Sequence, residues 1–226
     1  MYLIVTASKD TYITNKIIDS SYRARDANVG QAGTIDLFKL WNESKISGTV
    51  RPTEISRAFI KFDLDRIHAL TQSAIDLNHS TFEAKIKLFD ILGGQATPAN
   101  FKLQIYPLSR SFDEGIGRDV STFGDLDSCN FITSSYSDST ANLWNMSGAS
   151  ASGMLGSSDI DYITSGTLNQ SLVDFGKSQT FVKGNEDLEI NVTTILSATL
   201  AGQIPNHGFR IAFTGSEETD QKTRFV

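Results

Sequence analysis

Apolar and polar residues alternate over short stretches along most of this chain. In "RAFIKFDL", residues 57–64, one side of the alternation is apolar and consists of Ala58, Ile60, Phe62 and Leu64. The other side consists of Arg57, Phe59, Lys61 and Asp63. A period of two indicates a β-strand with one face in a core and one face toward water. We therefore predict a half-buried strand here.

The same period recurs at distant places in the chain. The predicted inward-facing residues of four further strands are Ala84, Ile86 and Leu88; Phe101, Leu103 and Ile105; Leu188, Ile190 and Val192; and Phe209, Ile211 and Phe213. Residues 1–6 and 34–41 are predicted to add two more strands, and Pro107 to end one. Clusters of Gly, Asn and Ser separate the strands. The chain is thus predicted to be an all-β, antiparallel β-sandwich of jelly-roll type, in a single domain covering 1–226.

One or two short helices are expected beside these strands. The segment 63–75 can hold a turn or two, with Asp65 as its cap. The segment 193–202 has an apolar side and ends at Gly202, where a helix C-cap glycine belongs.

The region of about 115–180 differs in composition, because Ser, Thr, Gly, Asn and Asp dominate it. We expect a loop-rich excursion from the sandwich, containing open loops or small extra strands. Long loops often carry function, and they also tolerate insertions, so both interpretations stand.

Charge and the length of the apolar runs argue against two classes of partner, nucleic acid and membrane. The net charge is −6, and residues 114–226 carry 14 Asp or Glu against 6 Lys or Arg. Without a basic stripe the chain is not expected to bind nucleic acid. No apolar run approaches the roughly 20 residues that span a bilayer, so no membrane insertion is expected. The apolar run at the N-terminus is too short for a secretory signal, which predicts assembly in a cytoplasm.

No motif for catalysis stands out. The chain has neither a G-x-S-x-G elbow nor a phosphate-binding loop, and its three histidines lack metal-ligand spacing. His207, in "PNHGF", is predicted to be a solvated turn residue. The adjacent pairs Asp113/Glu114 and Glu217/Glu218 would point to opposite faces of a strand, unlike the converging carboxylates of a glycosidase. We expect no catalytic residue and no cofactor.

Two pairs of aspartates have a spacing that allows convergence. Asp125 and Asp127 form one D-x-D pair, and Asp159 and Asp161 form the other. Such pairs could bind a structural Ca²⁺ if carbonyl oxygens completed the shell, although ordinary turn aspartates are the commoner explanation.

Three aromatic residues in the excursion are candidates for a binding surface. Trp144 could stack on a sugar ring, with Tyr136 and Tyr162 beside it. The competing interpretation places Trp144 in a core or as a loop anchor.

The order of several short motifs resembles one known family. The motifs are "ASKDTYI", "DANVGQAGTIDLFKL", "SRAFIKFDL", "LQIYPLSRSFDEG", "LEINVTT" and "PNHGF". Together they resemble the DNRLRE-type β-sandwich module, over most of the chain. Phe112 stands where that family commonly has Trp, and the family's closing strand with "R-P-x-L" does not follow "TRFV". The resemblance brings no catalytic residues.

The resemblance implies a jelly-roll sandwich related to carbohydrate-binding modules, as found in bacterial extracellular proteins and in virion proteins of tailed bacteriophages. Together with the lack of an export signal, it predicts a non-enzymatic virion structural protein of the neck, tail or fibre attachment. Its partners would be other virion proteins in an oligomeric assembly. A sheet edge left open by the absent strand would invite pairing with another chain. The alternative is an extracellular carbohydrate-binding or adhesion module, with a host glycan as its ligand.

Overall fold

Strands dominate this protein, and they form antiparallel sheets. The computed structural model describes residues 2–41, 53–91, 98–122 and 125–221, which contain fifteen strands and three short helices. The strands are β1 (Ala7–Thr14), β2 (Ile17–Ile18), β3 (Tyr22–Arg23), β4 (Lys39–Trp41), β5 (Thr53–Phe62), β6 (Lys85–Leu88), β7 (Phe101–Pro107), β8 (Thr133–Ser137), β9 (Thr140–Leu143), β10 (Ser152–Met154), β11 (Tyr162–Leu168), β12 (Ser171–Asp174), β13 (Lys177–Phe181), β14 (Leu188–Asn191) and β15 (Phe209–Phe213). The helices are α1 (Asp65–Thr71), α2 (Thr193–Leu200) and α3 (Gly215–Thr219).

The central sheet joins strands that are far apart in sequence. Its order is β1-β5-β15-β7-β13, and β4 pairs with the beginning of β5. The long strand β5 therefore lies in the interior, with β1 on one side and β15 and β4 in line on the other. Smaller sheets are formed by β6 with β14, β8 with β9, and β10–β12. The predicted all-β antiparallel sandwich is confirmed, with β10–β11 as the one parallel pair among the described strands.

Most of the predicted faces are confirmed. One core lies between the central sheet and the layer of β6, β14 and α2. Its members from the predicted faces include Ala58, Ile60, Ile86, Leu103, Ile105, Ile190, Val192, Ile211 and Phe213. Gly202, with φ +71, follows α2 as expected for a C-cap glycine.

Some predicted elements differ. The first strand begins at Ala7, and residues 2–6 lie outside any strand, because no neighbouring segment pairs with their backbone in the described chain. Only Lys39–Trp41 of the predicted strand 34–41 is a strand. Asp65 is the first residue of α1 and not its cap, which is Leu64. The short helix α3 adds a third helix where one or two were predicted.

The second face of β5 is also buried, contrary to the half-buried strand predicted from its alternation. Arg57 and Phe59 are 5% and 0% exposed. A second core on this face joins Phe59 to Phe112, Cys129, Phe131 and Trp144. The excursion causes the difference, because its residues 128–162 fold back over the sheet and cover the face that water was expected to reach.

The turn at Asn28 holds the start of the excursion to the sheet. The carboxamide Oδ1 of this fully buried residue accepts N–H from Gly30 at 3.1 Å and from Gly117 at 2.9 Å. Its Nδ2 donates to the carbonyl oxygens of Glu114 and Cys129, both at 2.8 Å. A Cβ at Gly30 would lie 1.8 Å from the Glu114 oxygen, so only glycine permits this approach. The "N-x-G" and "F-D-E-G" motifs are thus two halves of one contact.

We expect Asn28→Ala to lower the free energy of unfolding by about 3 kcal/mol, because two buried N–H groups, the buried Cys129 carbonyl and the partly buried Glu114 carbonyl lose this partner. Chemical denaturation followed by tryptophan fluorescence measures the loss. The exposed Asn78→Ala is the matched control and should change stability by less than about 0.5 kcal/mol. Equal effects of the two substitutions would show that the Asn28 contact does not hold the excursion.

Candidate functional site: a buried arginine cluster

Two arginines lie side by side on the covered face of the central sheet. Arg57 is on β5 and Arg210 is on β15, where Arg210 is opposite Phe59 in the antiparallel register. Both residues therefore project to the same face, and each side chain is only 6% exposed. Charges removed from water at such depth require partners. We call Arg57, Arg210 and the residues that contact their guanidinium groups the arginine cluster.

The helix α3 supplies the carboxylate of the cluster. A capping box fixes the start of this helix, since Thr214 Oγ1 accepts the Glu217 N–H and the Glu217 carboxylate accepts the Thr214 N–H at 2.9 Å. Glu218 then reaches Arg57 with two bonds, Nε to Oε1 at 2.8 Å and Nη2 to Oε2 at 2.6 Å. Arg210 Nη2 lies 4.0 Å from Glu218 Oε1. One bidentate pair thus anchors the chain after β15.

The excursion supplies the remaining acceptors. Arg57 Nη1 donates to the carbonyl oxygen of Gly148 and, at 2.6 Å, to Ser150 Oγ. Arg210 Nε donates to the carbonyl oxygen of Ala149 at 3.1 Å. These contacts tie the loop 148–150 to the sheet through side chains that the alternation had assigned to the solvated face.

An aromatic pair completes the cluster. The Arg210 guanidinium lies 4.5 Å from the ring centre of Tyr162, a cation–π contact. Tyr106 packs on Tyr162 with 5.0 Å between ring centres. Burial, with the positive charge of Arg57 beside it, lowers the pKa of Arg210 to about 10. Arg210 remains charged at neutral pH, so the cluster holds two guanidinium groups against one carboxylate.

Asp161 organises the loop that covers the cluster. It is fully buried, and its carboxylate accepts N–H from Asn145 at 2.7 Å, Met146 at 3.1 Å and Ala151 at 2.9 Å. Arg110 Nε lies 3.8 Å from the same carboxylate. Three backbone donors satisfy this buried anion, and they fix the path of residues 145–151.

The D-x-D pairs do not converge. Asp159 is exposed whereas Asp161 is buried, because the pair lies on a turn and not on a regular strand. Asp125 accepts the Ile116 N–H at 2.8 Å and the Ser128 hydroxyl at 2.7 Å, and Asp127 is exposed. Within the described ranges no three acidic, His or Cys residues are grouped as a metal site would need. The aspartates support turns and loops.

The predicted aromatic surface is wrong for Trp144. Its side chain is buried, it packs 5.2 Å from the Phe59 ring, and its Nε1 donates to the Asn130 carbonyl at 2.9 Å. The competing interpretation, a core anchor, describes it. Tyr136, on β8, and Tyr162, on β11, are half-buried. No ring contact joins any two of these three aromatics in the part of the chain that the structure describes.

The adjacent carboxylates also diverge. Asp113 accepts the Tyr136 N–H at 2.8 Å, whereas Glu114 accepts the Asp10 N–H at 2.9 Å. Glu217 caps α3, whereas Glu218 binds Arg57. Each carboxylate holds a different segment of the chain, as their opposite directions had suggested.

Sequence reasoning missed the arginine cluster. The available signals were one arginine within each of two strongly apolar strands, "ISRAFI" and "GFRIAF", and a capping-box pattern, "TGSE", directly after the second. An arginine between apolar neighbours is compatible with either a solvated or a buried face, so the pattern alone does not decide.

Comparisons of this chain with protein-family models, with curated proteins and with solved structures find no match. None of the helices in the described ranges is long and apolar enough to cross a bilayer. The donors and acceptors of the arginine cluster are directed at one another, and they fasten α3 and the excursion to the sheet.

We expect Glu218→Gln to lower the free energy of unfolding by about 3 kcal/mol, because it leaves two buried arginines without a counter-charge. Denaturant titration measures the loss, with the exposed Glu189→Gln as control. A second variant, Arg57→Met/Glu218→Gln, should recover part of the loss. If the single Glu218→Gln variant is as stable as the native chain, the pair does not anchor α3.

His207 gives the fold a mild dependence on pH. It is half-buried in the turn before β15, and burial, with nearby Lys61, lowers the pKa of its imidazole from the ordinary 6.5. The unfolded chain therefore takes up a proton before the folded chain does. The resulting stability is complete above pH 6.5 and is lost as the pH falls from there toward the lower folded pKa.

We expect the free energy of unfolding of His207→Gln to fall less than that of the native protein when the pH is lowered through this window. Denaturation midpoints at a series of pH values measure the difference. Exposed His79→Gln is the control and should keep the native dependence. Parallel curves for the native protein and His207→Gln would assign the pH dependence to other groups.

Proposed function

We propose that this chain is a non-enzymatic structural protein of a tailed-bacteriophage virion, at the neck, tail or fibre attachment, and that it works through contacts with other virion proteins. The resemblance to the DNRLRE-type module supplies the family context. The observation that best supports a structural role is that the side chains a ligand cleft would use point into the protein. The polar groups of four such side chains form hydrogen bonds within the chain: Trp144, Arg57, Arg210 and Asp161.

This arrangement suits a mechanical role. Segments distant in sequence are fastened by charge-assisted bonds: the excursion through Gly148 and Ala149, and α3 through Glu218. A sandwich held in this way keeps the excursion and α3 in fixed positions for neighbouring subunits. A lectin site would instead direct aromatic and amide groups outward.

The exposed apolar side chains favour protein partners. Tyr2, Ile4, Phe89 and Ile91 are each more than half exposed. Where exposed apolar side chains form a contiguous patch, they are typical of surfaces that become covered on assembly.

The proposal predicts that the chain is present, in a fixed ratio to the major capsid protein, in purified phage particles made from the genome that encodes it. Quantitative mass spectrometry of gradient-purified particles measures the ratio, with an abundant host cytoplasmic protein as the control for contamination. Absence from particles, together with recovery from the cell surface or medium, would overturn the proposal in favour of the extracellular alternative.

A glycan array separates the two functions at the level of binding. We expect no binding by the native chain above that of Tyr136→Ala, because Trp144 is internal and Tyr136 is half-buried. Specific glycan binding that is lost in Tyr136→Ala would support the carbohydrate-binding alternative.

A further inference from the structure

The segment 2–6 has a strand-favouring sequence but no partner among the described strands. Four of its five residues, Tyr2, Ile4, Val5 and Thr6, are of types that favour β structure. None of its backbone groups is hydrogen-bonded within the described part of the chain. Tyr2 and Ile4 are 83% and 75% exposed, whereas Leu3 and Val5 are half-buried. We call residues 2–6 the N-terminal arm.

The strand β6 offers an open edge. Its only partner among the described strands is β14. The bond from Val192 N–H to the Ala84 oxygen at 2.9 Å sets the alternation of this antiparallel pair. By that alternation Ile86 and Leu88 bond to β14, and the N–H and C=O groups of Lys85 and Lys87 point away from it. They are the groups that an added strand would use.

The other edge of the same two-stranded sheet is covered. The Gln179 side chain, from β13, accepts the Glu189 N–H at 2.7 Å and donates to the Asp187 oxygen at 2.8 Å. This amide occupies the position that a neighbouring strand would take. In the described chain, β6 has no equivalent cover.

The charges on the open edge do not protect it. Lysines on an edge strand normally discourage pairing with another copy. Here Lys85 and Lys87 both bind Glu189, at 3.0 and 2.7 Å. Past the end of β6, Phe89 and Ile91 are 76% and 67% exposed and extend the edge with apolar side chains.

The arm is long enough to reach a neighbouring copy. Five extended residues reach about 17 Å. Near a two-fold axis, an arm of that reach can cross to the neighbouring copy while the neighbour's arm crosses back. The uncharged arm adds no repulsion.

We propose that the N-terminal arm of one copy pairs as an added strand with the β6 edge of a second copy, so that the protein forms an arm-exchanged dimer. Donor and acceptor are on the same chain, which makes the second copy the matching partner. The inference rests on the proposed assembly role for its biological purpose, but the pairing itself is a property of the isolated chain.

The first test is the mass of the purified chain in solution, by light scattering over a range of concentrations. We expect the native chain to dimerise and Ile4→Pro to weaken dimerisation by about tenfold or more, because proline cannot donate to the new ladder. Ile4→Pro should fold normally, since residue 4 has no backbone hydrogen bond to the described residues of its own copy. Ile4→Thr keeps strand propensity and is the matched control.

The second test locates the contact by disulfide formation. Ile4→Cys and Lys87→Cys chains, mixed and oxidised, should give a covalent dimer, whereas Ile4→Cys mixed with exposed Leu172→Cys should not. The native Cys129 does not interfere, because it is fully buried and burial raises its pKa. A chain that carries both Ile4→Cys and Lys87→Cys distinguishes two arrangements. Exchange between copies gives a covalent dimer on oxidation, whereas pairing within one copy gives a monomer with an internal disulfide.

Three outcomes overturn the inference: a native chain that is monomeric at all concentrations, an oligomer that Ile4→Pro leaves intact, or a disulfide found only within one copy. An oligomer insensitive to Ile4→Pro would overturn the arm exchange and leave the assembly role standing. A native monomer that is nevertheless present in virions would do the same. Arm exchange in a chain absent from virions would instead overturn the proposed function alone.

Discussion

Two guanidinium groups removed from water are the constraint on which much of this structure depends. Arg57 and Arg210 lie on adjacent central strands, beneath the excursion. A buried cation without partners is destabilising by several kcal/mol, so the covered face can form only if acceptors come to it. Glu218 from α3 and the carbonyl oxygens of Gly148 and Ala149 meet that requirement together. The burial of the two arginines therefore brings α3 and the loop at 148–150 together on one face of the central sheet.

The polar excursion follows the same logic on a smaller scale. A segment rich in Ser, Gly and Asp cannot build a large apolar core of its own, and its backbone groups must still be satisfied. Asn28 and Asp161 serve this need, each binding several backbone groups of a loop from a buried position. Trp144 and Phe131 then anchor the loop in the second core. A segment whose composition suggests flexible loops is therefore fixed by a few buried polar side chains.

Two features of the fold are relevant to function: the rigidity that the internal bonds provide and the open edge of β6. The charged groups of the arginine cluster are bonded within the chain, whereas exposed apolar side chains and a β6 edge without a partner among the described strands are suited to protein contacts. Virion assembly requires such contacts, and so would any ordered oligomer. The scaffold role places the protein in a virion, whereas the arm exchange concerns only the contact between residues 2–6 and β6.

The sequence alone determined the strands of the first core and the class of the fold. The alternation around Ala58, Leu103, Ile190 and Ile211 was sufficient, because a period of two directly encodes which side chains leave water. The Gly202 cap was equally local. Alternation cannot say what covers the other face of a strand. That depended on residues 128–162 returning over β5, a contact between segments far apart in the chain.

The tertiary structure therefore decided that Arg57 is buried, that Trp144 is an anchor, and that Asp161 accepts three backbone N–H groups. It also decided that residues 2–6, most of which favour strand structure, have no strand partner in the part of the chain that the structure describes. Strand propensity is a property of the residues, but a strand exists only where another backbone completes its hydrogen bonds.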